Sequence, residues 1–178
     1  MGKYKSLFLS HVITTDTPTY GNRDSFKDEL NTSFKLGDKA ETSNWSFSNN
    51  HLGTHIDAPR HFMLEGRTVT DFDADFWVFS KIYYVEIYCS TAALIGIVDF
   101  TSFNIDTEVE LLLIKTGYER YRGTDKYWNE NPGIAPELGF YLKDKYPNLR
   151  AIGFDFISVT SFQHRQVGKD AHLALLDG

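Results

Sequence analysis

Apolar and polar positions along the chain recur with two periods, and the period changes mark its elements. Residues 5–12 form an apolar-rich run that predicts a first strand, and 14–22 (T-T-D-T-P-T-Y-G-N) follow as a turn-rich connection. Residues 23–41 are polar with scattered Phe26, Leu30, Phe34 and Leu36, which predicts a mobile loop or a short hairpin. Over 42–50, Trp45, Phe47 and Asn49 alternate with Ser46, Ser48 and Asn50 at the strand period. Residues 65–68 read as a turn, and D-F-D-A-D at 71–75 reads as a solvated turn. A calcium loop would need Gly where Phe76 stands and Glu where Ile82 stands. Residues 81–88 are β-branched and aromatic and predict a strand. The continuous apolar run 111–116 predicts a central strand buried on both faces. Residues 118–132 read as a long aromatic loop with Tyr121, Tyr127 and Trp128. Residues 135–146 predict a helix, with Pro136 in its first turn and Pro147 beyond its end, and 151–156 returns as a strand. Strand, helix and strand at this spacing predict a parallel crossover. A short helix, A-H-L-A-L-L, closes the chain, with Asp170 as its N-cap and Gly178 as its C′ residue.

One stretch fits neither period. Residues 49–62 read N-N-H-L-G-T-H-I-D-A-P-R-H-F and hold three of the six histidines, His51, His55 and His61, with Asp57 among them. Neutral imidazole and carboxylate are the usual nitrogen and oxygen ligands of a catalytic zinc or a similar ion. A helix would put His51 and His55 on one face but leave Asp57 off it, and Gly53 and Pro59 oppose a helix interior. A strand points positions 51, 55, 57 and 61 the same way, yet holds the first two histidines roughly 13 Å apart at about 3.3 Å per residue. Ligand atoms about 2 Å from one ion cannot be so far apart. The backbone must therefore bend between His51 and His55 if they share an ion, and Gly53, with free access to positive φ, is the residue that allows it. Trp45 and Phe47 share the parity of His51, so they line the same pocket or are plain core.

Composition narrows the classes. The chain has 178 residues, enough for one domain with a sizeable core. Aromatics make up 15%, with 14 Phe and 10 Tyr, which suits a β-rich fold with an aromatic-lined pocket. A net charge of −6 argues against a nucleic-acid partner. Cys89 is the only cysteine, so an internal disulfide is ruled out; it reads as a small buried hydrophobe in a reducing cytoplasm. Leu7-Phe8-Leu9 is too short for a signal peptide, and no segment has membrane-spanning length. M-G-K-Y-K-S fits the myristoylation pattern, but the residues after it read as a buried strand.

H-L-G-T-H-I-D-A-P-R-H-F, residues 51–62, resembles the H-x-G-T-H-x-D-x-P-x-H signature of the cyclase-like metal hydrolases, a group that includes bacterial kynurenine formamidases and isatin hydrolases. Leu9-Ser10-His11, Thr116-Gly117, Gly153-x-Asp155-x-x-Ser158 and A-H-x-x-L-L around His172 are similar to the same family. The resemblance implies an α/β fold of the swivelling β/β/α type: a single domain, 1–178, with a mixed β-sheet or barrel-like core flanked by helices. It implies a divalent metal, zinc first and manganese or cobalt next, as one ion or two. His51, His55 and Asp57 would hold the first ion, and Asp57 would bridge to a second held with His172. His61 would carry protons as the catalytic acid and base, an imidazole being suited to that role near neutral pH. Trp45, Phe47 and Phe62 would bind a small aromatic amide, hydrolysed as by an arylformamidase. Lactam opening, cyclisation and metal binding without turnover are the alternatives. A cytoplasmic homo-oligomer, dimer or tetramer, is the expected assembly. His164 lies near His172, but its Arg165 and Gln166 neighbours read as a surface loop. The sequence departs from the family in one respect: members carry a metal-binding glutamate and further strands after the later histidine, and here no glutamate follows His172. The expectation is a portion of a longer protein or a shortened variant.

Overall fold

Alternation over residues 42–47 produces the strand it predicts, and the polar stretch before it supplies the partner. The computed structural model describes residues 8, 10–23, 26–48 and 50–177. These fall in two units, Met1–His55 and Ile56–Gly178. In the first, β1 (Phe26–Thr32) pairs antiparallel with β2 (Thr42–Phe47) in a register that sets Phe26 against Phe47 and Asp28 against Trp45, with an irregularity between Leu30 and Thr32. The hairpin alternative for 23–41 is thus the one that forms. Its connection is a tight 3-10 turn, Phe34–Leu36: the Ser33 hydroxyl accepts from the Lys35 N–H at 3.2 Å, and Gly37 leaves the turn at φ 89°. Strand 42–50 is shorter than expected, ending at Phe47, and Asn49 lies outside the described residues. The predicted strand 5–12 falls mostly outside them too, and its described residues, 8 and 10–12, belong to no strand. Trp45 and Phe47 are 69% and 59% exposed, so neither is plain core. Phe26, 6% exposed, meets the Trp45 ring edge-on at 5.7 Å.

The second unit is built on a parallel sheet. β3 (Ile82–Glu86), β5 (Leu111–Lys115) and β7 (Ala151–Phe154) pair in the order β3-β5-β7, with Tyr84, Leu113 and Gly153 in register. The run at 111–116 is central, as expected, but only one face is fully buried. Leu112 and Ile114 are 0% and 2% exposed, whereas Leu111, Leu113 and Lys115 are half-buried. A second, two-residue pair, β4 (Leu94–Ile95) with β6 (Gly133–Ile134), is also parallel. The segment 118–132, expected as a loop, holds a 3-10 turn at Tyr118–Tyr121 and a short helix α1 (Asp125–Asn129). Tyr118, Tyr127 and Trp128 are core residues there, and their burial orders the segment.

Helix α2 (Pro136–Lys145) starts as predicted, with Pro136 in its first turn and Leu138 and Leu142 buried against the core. Helix α3 (Arg165–Leu176) begins five residues before the predicted N-cap. Asp170 lies inside it and accepts from the Gln166 amide at 3.2 Å, while Asp177 is the C-cap and Gly178 lies outside the described residues. Gly168 lies inside α3 at the position where Thr160 packs against the helix, leaving no room for a Cβ. The two helices also meet at a glycine: a Cβ on Gly139 would lie 2.9 Å from that of Ala174. Between 69 and 77, the predicted solvated turn is two 3-10 turns, Val69–Asp71 and Ala74–Trp77, whose Phe72, Phe76 and Trp77 rings pack together. Arg150 holds them from behind, donating to the Phe76 and Val78 carbonyls.

The ends of β5 and β7 are joined by a pair of carboxyl groups. Asp155 accepts from Thr116 N–H at 2.9 Å, Thr116 Oγ1 at 2.6 Å and Gly117 N–H at 2.8 Å. Burial opposes its charge, but hydrogen bonds from Glu119, Thr116 and Gly117 outweigh this and hold Asp155 below the usual aspartate range. The hydrogen bond to Asp155, with burial, raises Glu119 above the usual range. The opposite directions make Glu119 the more readily protonated member of the pair. The stability contributed by Glu119 is complete below the ordinary glutamate range and is lost as pH rises through its raised folded value. That of Asp155 is present above the ordinary aspartate range and is lost as pH falls through its depressed value. Glu119→Gln keeps a donor toward Asp155 without a titrating proton, so it is expected to flatten the alkaline side of the urea midpoint plotted against pH. An unchanged slope would mean that the pair shares no proton.

Candidate metal centre

In the first unit, the bend that the spacing demands is present. Gly53 takes φ +64°, and a Cβ there would meet Thr17 and Ile13 only at 3.5 and 3.7 Å, so the positive φ rather than lack of space selects glycine. Leu52 pairs with the buried Thr19 in an isolated antiparallel bridge, which anchors the loop. The rings of His51 and His55 come to 5.1 Å between centroids. His55 Nδ1 lies 2.9 Å from the Gly53 carbonyl oxygen. A carbonyl can only accept, so Nδ1 carries the hydrogen and the neutral ring offers the Nε2 lone pair. The same glycine bends the loop and sets the tautomer.

In the second unit, Asp57 leads into the 3-10 turn Pro59–His61, with proline in the first turn and the Phe62 N–H returned to the Pro59 carbonyl. The chain doubles back so that Arg60 N–H donates to the Arg67 carbonyl at 2.9 Å. Gly66 lies so close to Pro59 that a Cβ would sit 2.6 Å from the Pro59 carbonyl carbon. His61 is exposed, and Asp57 and His61 offer ligand atoms within 4.8 Å of each other.

Helix α3 brings His172 to this group from more than a hundred residues away. His172 is 4% exposed, and its Nδ1 lies 2.7 Å from the Gly168 carbonyl and 3.4 Å from Thr160 Oγ1. Nδ1 again carries the hydrogen, and Nε2 faces Asp57 Oδ2 at 3.8 Å. That separation is too long for a hydrogen bond. Two ligand atoms about 2.05 Å from one tetrahedral ion lie about 3.4 Å apart, close to what is seen. The His172 Nε2 lone pair and the half-buried Asp57 carboxylate are a nitrogen and an oxygen donor of the kinds a zinc-like ion takes, so these residues fit the group. His61 meets the His172 ring edge-on at 5.7 Å, and Phe62 stacks on it at 4.3 Å with 13° between planes.

The structure thus brings His51 and His55 together in one unit, and Asp57, His61, Phe62 and His172 in the other. His164, at the start of α3, is exposed. Sequence reasoning missed Gly168 and Thr160, which orient His172. A helix started earlier would have shown Gly168 four residues before the histidine; nothing local points to Thr160.

The Cyclase family model, described as "Putative cyclase", matches residues 7–161. An uncharacterized protein of Haemophilus influenzae is 34% identical over 110 residues, which cover 60% of this chain and 78% of that protein. The kynurenine formamidase of Geobacillus thermodenitrificans is 38% identical over 117 residues, 66% of this chain and 52% of that enzyme. The chain therefore spans about half the length of that formamidase. An isatin hydrolase crystallised with the product analogue thioisatinate shares the fold, with a TM-score of 0.68 over 93% of this chain and 74% of the other at 16% identity. The expected α/β class, with parallel and antiparallel strands flanked by helices, is the one found. Among the described residues, no helix is long and apolar enough to cross a membrane.

Proposed function

This chain belongs to the Cyclase family, and from that premise we propose that it is a metal-dependent hydrolase acting on the carbon–nitrogen bond of a small aromatic amide. The observation that carries the reading is the buried His172 Nε2 facing the Asp57 carboxylate at 3.8 Å, too wide for a hydrogen bond and near the spacing of about 3.4 Å expected of two ligands of one ion. The formamidase named among the relatives supports the choice of an amide. His51, His55 and Asp57 would hold a first ion, zinc before manganese or cobalt, with Asp57 reaching a second beside His172. When bound, such an ion supplies a water of lowered pKa and polarises the carbonyl.

The remaining work falls to side chains. His61, exposed beside Asp57, accepts the proton that the attacking water releases and returns it to the leaving amine nitrogen. The water oxygen bonds to the carbonyl carbon, the carbon–nitrogen bond breaks, and an N-formyl aromatic amine gives formate and the free amine. The aromatic side chains Trp45 and Phe47 are proposed to receive the ring. Metal content of the purified chain, measured with formate release from an N-formyl aromatic amine, tests the proposal. Stoichiometric divalent metal with turnover that chelators abolish is the expected result. A chain that takes up no metal on reconstitution and releases no formate would overturn it.

A further inference from the structure

We infer that Phe62 is a positioning residue for His172: its ring and the Gly168 carbonyl together clamp the imidazole so that Nε2 points to the ion-binding groups. The inference deepens the proposed metal site and rests on it. It departs from the substrate-binding role that the sequence suggests for Phe62. The Phe62 ring lies face to face with the imidazole, 4.3 Å between centroids and 13° from parallel, while the His61 ring stands steeply inclined to both at 4.7 and 5.7 Å. One face of Phe62 is therefore covered by a buried histidine and is closed to a ligand.

The clamp has two independent parts. The Nδ1 hydrogen bond to Gly168, 2.7 Å, comes from the same helix as His172 and fixes one ring nitrogen. On its own it leaves the ring free to swing about that bond, which moves Nε2. A flat ring stacked on the imidazole removes that swing, because an offset-stacked pair is held both by dispersion and by the quadrupoles of the rings. Gly168 is buried under Thr160, so the carbonyl that anchors Nδ1 is itself fixed. Outer partners of this kind orient a ligand without touching the metal, and their removal typically weakens metal binding about 10–100-fold. Phe62 follows His61 directly, so the same ring ties the loop bearing Asp57 and His61 to α3.

The test titrates zinc alone, against a chromogenic chelator, into the parent chain, Phe62→Leu, Phe62→Tyr and His172→Ala. Phe62→Leu is expected to weaken the ion held by His172 about 10–100-fold, and Phe62→Tyr, which keeps a stacking ring, to restore it. Parental zinc affinity in a folded Phe62→Leu with a raised KM would overturn the inference and return Phe62 to the substrate. Parental affinity in His172→Ala would overturn the metal role of His172 as well, which separates the two failures. Should Phe62→Leu not fold, nuclear Overhauser contacts between the Phe62 and His172 rings in the metal-free parent decide: ring-to-ring contacts support the clamp and their absence overturns it.

Discussion

Replacing His55 by alanine is expected to give a folded protein that has lost its first ion. The imidazole is half-buried and its Nδ1 is already committed to the Gly53 carbonyl, so what the substitution removes is the Nε2 donor. Substitutions at partly exposed positions of this kind change stability little. Loss of an inner ligand should exceed the roughly 10–100-fold penalty typical of outer partners, and turnover should fall to background. His51→Ala and Asp57→Ala are expected to behave alike, because three protein ligands are the usual minimum for a catalytic zinc. Metal content by atomic emission after gel filtration, formate release and a urea midpoint measured on each variant give the answer. Parental metal content in all three variants would remove these residues from the ligand set.

His61→Ala is expected to separate binding from turnover. His61 sits beside Asp57 on an exposed turn, where solvent and substrate can reach its ring. A lost general acid–base group typically costs about 10²–10⁴-fold in rate. Turnover of the N-formyl amine should drop by that factor with metal content intact, and added imidazole should restore part of it. His61 and Asp57 are also close enough to share an ion. Metal loss in this variant would therefore make His61 a ligand and refute the proton-carrying role.

Much of the site was legible because it is local. A bend between His51 and His55 followed from strand rise and metal–ligand bond length, and Gly53, at φ +64°, is where it occurs. The parallel β5–α2–β7 crossover was equally readable, since Pro136 and Pro147 bound the helix and apolar runs flank it. What the sequence alone could not supply was set by partners distant in the chain. The pattern reads as a helix opened by Asp170, but α3 starts at Arg165, and Thr160 packs against its Gly168. Segment 118–132 reads as a loop, but Tyr118, Tyr127 and Trp128 are buried in the core and fold it into turns and a helix. The stack of Phe62 on His172 joins residues 110 positions apart, and no periodicity records such a contact. Sequence determined which donors exist and where the chain must bend, because bond lengths and φ preferences act within a few residues. Only tertiary packing decided that the His172 ring meets Asp57 and Phe62, because those residues lie on a loop that reaches α3 only after the helix has docked.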